Sequence, residues 1–136
     1  MTVFVLDSSA VLRYIDNEAG GDRVNTIFKA CVRRQAEMRI SALQWGEVAG
    51  YLSRRLGASG GKRALESLLP FELEIFPATS ERAERAAELR SDRKIPYVDA
   101  FAVELAMESA ENVLVTADFD FKCVEDLAQI EFLPAK

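Results

Sequence analysis

MTVFVLDSSAVL, residues 1–12, places a single charged residue, Asp7, directly after a short apolar run. The run has the length of a buried strand, and Ser8 stands where a helix can begin. We therefore predict a strand over Val3–Asp7 that leads straight into a helix. A carboxylate among apolar neighbours loses hydration and needs a cation, hydrogen-bond donors or a metal to remain ionised. Asp7 thus indicates where the first strand ends, and it is also a candidate functional residue.

Strands and helices alternate along the rest of the chain. Further strands are predicted over Met38–Ser41, Leu73–Phe76, Val113–Thr116 and Ile130–Leu133. Helices are predicted to begin at Ser8, Gly21, Ala42, Ser59, Thr79 and Pro96, with Ser59 and Thr79 as caps and residues 57–61 as a turn between two helices. This alternation predicts an α/β fold with a mostly parallel, roughly five-stranded sheet covered on both faces. Ligands of such sheets bind beyond the carboxyl ends of the strands, where the strand order switches.

Composition limits the class of protein. The chain has 136 residues, of which 49% are apolar, so residues 1–136 are predicted to form a single domain that needs no disulfide bond or metal ion to fold. Cys31 and Cys123 form no Cys-x-x-Cys pair and are predicted to be core thiols rather than a zinc or redox site, which fits a reducing cytosol. The apolar runs are too short for a membrane span, and the start of the chain lacks the pattern of a signal peptide. We therefore expect a soluble, cytoplasmic protein.

The chain contains no histidine, which removes Ser-His-Asp and Cys-His catalysis and every histidine-based metal site. Catalysis must then depend on carboxylates, hydroxyls and cations. The net charge of -5 argues against a protein that coats nucleic acid through bulk electrostatics. Local basic pairs such as Arg54-Arg55 and Arg93-Lys94 are typical of solvated helix surface, although they are compatible with RNA contact.

Several acids stand alone in segments that otherwise look like core. Glu47 is the only charge in ISALQWGEVAGYL, and Asp99 is the only one in PYVDAFAV. Asp118 and Asp120 follow the apolar strand that ends at Thr116. Clustered oxygen ligands without histidine or thiolate suit Mg²⁺ or Mn²⁺, and such a cluster is a natural site for cutting phosphodiester bonds with water.

Each acid also has an ordinary structural interpretation. Asp7 could cap the helix that follows it, and Asp99 could be an acid favoured by the dipole of the first helical turn. Glu47 could pair with Arg54 or with another arginine. Asp118 and Asp120 could form an Asx-type turn, the role that we favour for Asp120.

Four segments in this order, LDSSAVL, SALQWGEV, PYVDAFAVELA and VTADFDF, resemble the motifs of the PIN-domain ribonucleases. A stand-alone chain of this length is similar, more narrowly, to the VapC-type toxins of toxin-antitoxin pairs. The resemblance implies a PIN-like three-layer α/β/α sandwich and an acidic site of Asp7, Glu47, Asp99 and Asp118 that holds Mg²⁺ or Mn²⁺. It makes Asp120 the outer acid, with Ser8, Ser9 and Thr116 orienting ligands or contacting phosphate.

The resemblance also implies partners. The substrate would be RNA, with tRNA or another structured RNA as an example, and a cognate antitoxin would block the site. A homodimer is expected as well. Apolar helix positions are candidates for the antitoxin groove or the dimer seam, although core packing is the favoured role for most of them: Phe28, Trp45, Val48 and Leu52.

Two other functions compete with a nuclease. A PIN module that has lost catalysis would bind RNA or a protein partner, but this chain has all four acids of the motif. A receiver-like phosphoacceptor domain needs adjacent acids after its first strand and an acid after its third, whereas this chain has a lone Asp7 and then Pro77 at those places. Haloacid-dehalogenase chemistry needs an Asp-x-Asp motif that Asp7-Ser8-Ser9 does not provide.

Overall fold

A computed structural model describes all residues, Met1–Lys136, and contains one five-stranded sheet in the order β3-β2-β1-β4-β5. Every neighbouring pair of strands runs parallel. The strands are β1 (Val3–Leu6), β2 (Glu37–Ser41), β3 (Glu74–Phe76), β4 (Asn112–Thr116) and β5 (Gln129–Phe132). The five predicted strands are confirmed, with each end within one residue of its predicted position.

Helices cover both faces of the sheet. They are α1 (Ser8–Ile15), α2 (Gly21–Val32), α3 (Ala42–Glu66), α4 (Ser80–Asp92) and α5 (Tyr97–Ala106), with short 3-10 helices at Leu69–Phe71 and Phe119–Val124. Side chains of a strand alternate between faces, so Leu6 packs in the core under α1, α2 and α3, whereas Val5 packs in a second core under α4 and α5. The predicted three-layer α/β/α architecture is therefore confirmed.

The strand order switches direction at the middle of the sheet. After β1 the chain adds β2 and then β3 on one side, and it crosses the opposite face through α4 and α5 to place β4 on the other side of β1. The boundary between β1 and β4 is consequently the switch point, where open α/β sheets bind ligands. Asp7 follows β1 and Asp118 follows β4 at this boundary.

The predicted break in the third helix is present, but the predicted cap at Ser59 is wrong. Only Gly57, with φ of 77°, leaves helical geometry inside α3. Ser59 lies within the second helical segment, where its hydroxyl accepts a 3.1 Å hydrogen bond from Arg63. A Cβ on Gly61 would lie 2.9 Å from the Cα of Ser53, so glycine is what allows the two halves of α3 to pack together.

The other helix starts agree with expectation. Thr79 caps α4 by accepting a 3.3 Å hydrogen bond from the backbone N–H of Arg82, and Pro96 directly precedes α5. The apolar positions proposed for a groove are mostly core, because Phe28, Val48 and Leu52 are completely buried. No helix of the chain has the length and the apolar character needed to cross a membrane.

Candidate functional site

Asp7 lies at the carboxyl end of β1 and is only 3% exposed. Its Oδ2 atom accepts a 2.6 Å hydrogen bond from the Ser9 hydroxyl and a 2.9 Å hydrogen bond from the Thr116 hydroxyl. Asp7 occupies the N-cap position of α1, but its side chain makes no capping hydrogen bond, so the structure does not support a helix-capping role for the carboxylate. Burial raises the pKa of this carboxyl, and the two hydroxyl donors oppose that rise.

Glu47 projects from the first half of α3, which remains helical through Gly46 and Gly50. Its Oε1 atom accepts a 3.0 Å hydrogen bond from the hydroxyl of Ser8. No arginine or lysine forms an ion pair with Glu47, so the proposed pairing with Arg54 is not present. Partial burial raises the pKa of Glu47, and the charge of Asp7 adds to the effect.

Asp99 lies in the first turn of α5, at the third residue of the helix. Burial raises its pKa to about 7, and repulsion by Asp7, Asp118 and Glu47 contributes in that order. The dipole of a helix N-terminus favours the ionised form of an acid, but here desolvation and neighbouring negative charge outweigh it. A dipole-favoured surface acid would not show this shift, so the local surroundings of Asp99 are those of a charge cluster.

These three acids converge from three separate elements. One carboxylate oxygen from each of Asp7, Glu47 and Asp99 lies within 4.8 Å of the other two. None of the three has a lysine or arginine partner. Oxygen donors that converge without a compensating cation match the preference of hard divalent ions for a few carboxylates and several waters. The donor set therefore fits Mg²⁺ or Mn²⁺, and it contains no soft ligand that would favour another class of metal.

Asp118 and Asp120 lie beside this group rather than within it. Asp118 uses Oδ1 to accept a 2.9 Å hydrogen bond from the backbone N–H of Asp120, so the Asx-type turn is present. Both acids raise the pKa of Asp99 through their charge, although neither belongs to the converging set. The sequence thus predicted Asp118 together with the other three acids, whereas the set of converging carboxylates consists of Asp7, Glu47 and Asp99.

The three predicted hydroxyl residues surround the acids. Ser8 and Ser9 begin α1, and Thr116 ends β4. Ser9 and Thr116 each donate their hydroxyl proton to Asp7, which leaves both oxygens free to accept. Ser9 Oγ accepts a 2.9 Å hydrogen bond from the backbone N–H of Ala117. Thr116 Oγ1 accepts a 3.0 Å hydrogen bond from the backbone N–H of Asp118. These bonds connect the end of β4 to the carboxylate of Asp7.

An open cleft of about 390 Å³ has Ser9, Asp118, Tyr51 and Lys136 among its lining residues. Arg13 at its base is buried and donates to the backbone carbonyl oxygens of Ala19 and Pro134 at 2.6 and 2.7 Å. This arginine therefore holds the C-terminal segment against the cleft wall. Ser9 and Asp118 connect the cleft to the switch point, because they follow β1 and β4 in the chain.

One residue of the site region was missed by sequence reasoning. Gln44 is completely buried, and its amide Nε2 donates a 2.7 Å hydrogen bond to the backbone oxygen of Val98. The only sequence signal is that a long polar side chain stands three residues before Glu47 in an apolar segment. That spacing places both residues on one helix face, which is the information needed to find it.

Comparison with known proteins identifies the fold family. The family model described as the PIN domain matches residues 4–127 of this chain. No curated protein sequence matches this chain significantly.

Among solved structures, the chain is similar to the VapBC2 complex of Rickettsia felis bound to a DNA fragment from its promoter. The TM-score is 0.78 at 18% sequence identity, and the match covers 98% of this chain and 100% of that chain. DNA-bound VapBC from Salmonella typhimurium gives a TM-score of 0.70 at 20% identity, covering 97% and 98% of the two chains. Mycobacterium tuberculosis VapC20, described as a sarcin-ricin loop cleaving toxin, gives 0.68 at 19% identity, covering 98% and 100%.

At these identities the structural likeness shows a shared fold. The family match covers most of the chain and excludes the receiver-like alternative, and it spans all the acids discussed above. The chain therefore belongs to the PIN domain family.

Proposed function

We propose that this protein is a metal-dependent endoribonuclease that acts as the toxin of a toxin-antitoxin pair. The observation that carries the proposal is the convergence of Asp7, Glu47 and Asp99, with no cationic partner, at the switch point of a PIN-family sheet. Asp118 is proposed as the fourth acid of the site and Asp120 as an outer acid. Mg²⁺ or Mn²⁺ is the proposed cofactor because the donors are carboxylate oxygens.

The acids and the hydroxyl residues have different proposed roles at this site. Asp7, Glu47 and Asp99 would hold a divalent ion, which would supply positive charge for the scissile phosphate and lower the pKa of water. Ser9 and Thr116 fix the rotamer of Asp7, and Ser8 fixes that of Glu47, so two of the three acids are oriented in advance. Asp99 accepts no hydrogen bond from a side chain, and burial together with the neighbouring acids raises its pKa to about 7.

The proposed substrate is RNA, with structured RNAs such as tRNA as the first candidates. The cleft beside Ser9 and Asp118 is the proposed path of the RNA strand. Support comes from the family and from the similar structure described as a toxin that cleaves the sarcin-ricin loop. We further propose a cognate antitoxin, since the similar structures include VapBC complexes. A homodimer is proposed as well, on the resemblance to VapC-type toxins alone.

Nuclease activity can be tested with purified protein that has been freed of any partner. Structured RNAs including tRNA are incubated with protein and Mn²⁺ or Mg²⁺, and then with excess EDTA. We expect discrete cleavage products that disappear in EDTA. Cleavage that persists in EDTA would contradict the metal-dependent mechanism, whereas RNA binding without cleavage under any metal condition would favour a non-catalytic PIN module.

The antitoxin requires a separate experiment. The chain is expressed together with the open reading frame beside its gene, and the complex is purified. We expect a complex without nuclease activity that regains activity when the partner is proteolysed, because an occupied site excludes RNA. Full activity in the complex, or no association, would remove the antitoxin while leaving the nuclease intact. Light scattering of the isolated chain tests the homodimer.

A further inference from the structure

Gln44 makes a direct contact between the two helices that carry Glu47 and Asp99. It lies in the first turn of α3, is 0% exposed, and donates from Nε2 to the backbone oxygen of Val98 at 2.7 Å. That oxygen belongs to the peptide group that leads into Asp99. The contact therefore reaches the backbone of one acid of the converging set.

The same residue is tied to the other acid through helical geometry. Gln44 and Glu47 are three residues apart in a regular helix, so their side chains share a face. A path of covalent bonds and one hydrogen bond therefore runs from Glu47 through Gln44 and Val98 to Asp99, and Gln44 is the fully buried residue on it. The bond between Gln44 and Val98 joins the start of α3 to the start of α5, the two segments that carry Glu47 and Asp99.

We infer that Gln44 is a positioning residue that sets the spacing of Glu47 and Asp99 for a divalent ion. The inference rests on the proposed function and deepens it, because it names what holds two of the acids at ligand distance. Gln44 touches neither RNA nor the ion in this role; it acts through the backbone of Val98 and through its own helix.

A general contribution to stability is a weaker account of Gln44. Its second polar atom, Oε1, is buried and has no protein donor, so half of the amide is unsatisfied. A buried polar group in that state is a poor way to stabilise a helix contact compared with an apolar side chain of the same size. The hydrogen bond to Val98 fixes the distance and the orientation of α3 relative to α5 at this point, which an apolar side chain would not do.

Asn112 offers a matched control at the other end of α5. It is buried, its Nδ2 donates to the backbone oxygen of Leu105 at 3.2 Å, and its Oδ1 also lacks a protein donor. Asn112 and Gln44 thus make the same kind of amide-to-carbonyl bond to α5. Only the bond of Gln44 is beside Asp99, since Leu105 lies in the last turn of the helix.

The experiment compares Gln44→Met with Asn112→Leu in the full chain. Mn²⁺ binding is measured by isothermal titration calorimetry, and thermal unfolding is measured in EDTA. For Gln44→Met we expect a rise of about 10-fold in the Mn²⁺ dissociation constant, typical of losing a group that orients ligands, with an unfolding temperature equal to or above that of the wild type. RNA cleavage should need more Mn²⁺ for half-saturation, while kcat at saturating Mn²⁺ recovers. Asn112→Leu should bind Mn²⁺ like the wild type.

Several outcomes would overturn the inference. One is wild-type Mn²⁺ affinity in Gln44→Met, and another is an equal loss of affinity in both variants, which would indicate a general loosening of α5. If Gln44→Met does not fold, Gln44→Leu is measured in its place, and failure of both to fold would make Gln44 a structural residue. A wild-type protein that binds neither Mn²⁺ nor Mg²⁺ would instead overturn the proposed function, and the role of Gln44 with it.

Discussion

Thr116 donates a 2.9 Å hydrogen bond to Asp7 across the boundary between β1 and β4. Thr116 is completely buried, and Asp7 is almost so. The same hydroxyl accepts the backbone N–H of Asp118 at 3.0 Å. One threonine side chain therefore supports a buried carboxylate on one strand and fixes the loop that carries the next acid.

Replacing Thr116 by valine keeps the shape of the side chain and deletes the hydroxyl. We expect Thr116→Val to lower the free energy of unfolding by about 1–3 kcal/mol, because a buried carboxylate loses a donor and a backbone N–H loses its acceptor. Thr116→Ser retains the hydroxyl and should stay closer to the wild type. Urea denaturation in EDTA measures both. Equal stability of the wild type and the valine variant would show that the hydrogen bond has no net effect.

Replacing Asp99 by asparagine tests whether the acids repel one another without metal. Asp99→Asn removes one charge from a cluster that lacks a cation, so we expect equal or higher stability in EDTA and loss of RNA cleavage. Mn²⁺ at 100 times its dissociation constant should stabilise the wild type by about 2.7 kcal/mol and the variant by much less.

Asp120→Asn is the matched control for that experiment. Asp120 is an exposed acid of the same charge that lies outside the converging set. We expect it to retain most of the stabilisation by Mn²⁺. If Asp99→Asn unfolds in EDTA, or if both variants lose the Mn²⁺ effect equally, the three-acid centre is wrong.

The pH dependence of stability follows from the raised pKa of Asp99. Asp99 has a pKa of about 7 in the folded chain, against the ordinary value of 3.8, so the folded state binds more protons between about pH 4 and 7. The free energy of unfolding in EDTA should therefore fall as pH rises through this window, and the raised pKa values of Asp7 and Glu47 act in the same direction. Asp99→Asn should flatten the profile. Stability that rises across the window would contradict the assignment.

Metal affinity should have the opposite dependence. The ion competes with protons for the carboxylates, so Mn²⁺ binding should strengthen as pH rises toward about 7 and release protons as it occurs. Calorimetric titration in buffers of different ionisation enthalpy measures the number of protons released. Binding that is independent of pH across this range would place the ion away from Asp99.

Two glycines of α3 should respond to alanine in opposite ways. Gly46 faces open space, so Gly46→Ala should stabilise the helix by about 0.5–1 kcal/mol. Gly61→Ala should destabilise the protein, because the new Cβ would lie 2.9 Å from the backbone nitrogen and Cα of Ser53. Thermal unfolding of both variants checks the pair. A neutral Gly61→Ala would mean that the two halves of α3 can separate without cost.

The strands were predictable because a parallel sheet covered on both faces buries every residue of its central strands. β1 and β4 accordingly read as continuous apolar runs, which end at Leu6 and Thr116. The break in α3 was predictable as a glycine-rich stretch, but not its location at Gly57. The stretch offers three glycines and a serine, and the sequence alone does not distinguish Gly57, which leaves helical geometry, from Gly61, which packs against Ser53.

The acids of the site were predictable for a similar reason, since a lone charge in an apolar segment is visible in the sequence. Their exact grouping was not. Asp118 stands apart from Asp7, Glu47 and Asp99 because its carboxylate is used in the turn to Asp120, and this depends on local backbone geometry. Gln44 was missed because its partner is a backbone oxygen on another helix, and the spacing from Glu47 indicates a shared helix face but not that partner.

The parallel pairing of β1 with β4 also determines when the site can form during synthesis. Asp7 receives its hydrogen bond from a residue 109 positions later in the chain, and Val3 is paired with Asn112. Such long-range pairing is the slow part of folding, because the closure of a long loop precedes any gain from the contact. A ribosome-bound chain that has not yet exposed Thr116 therefore carries Asp7 and Glu47 but no assembled centre. The assembled centre therefore requires synthesis of the chain at least through Thr116.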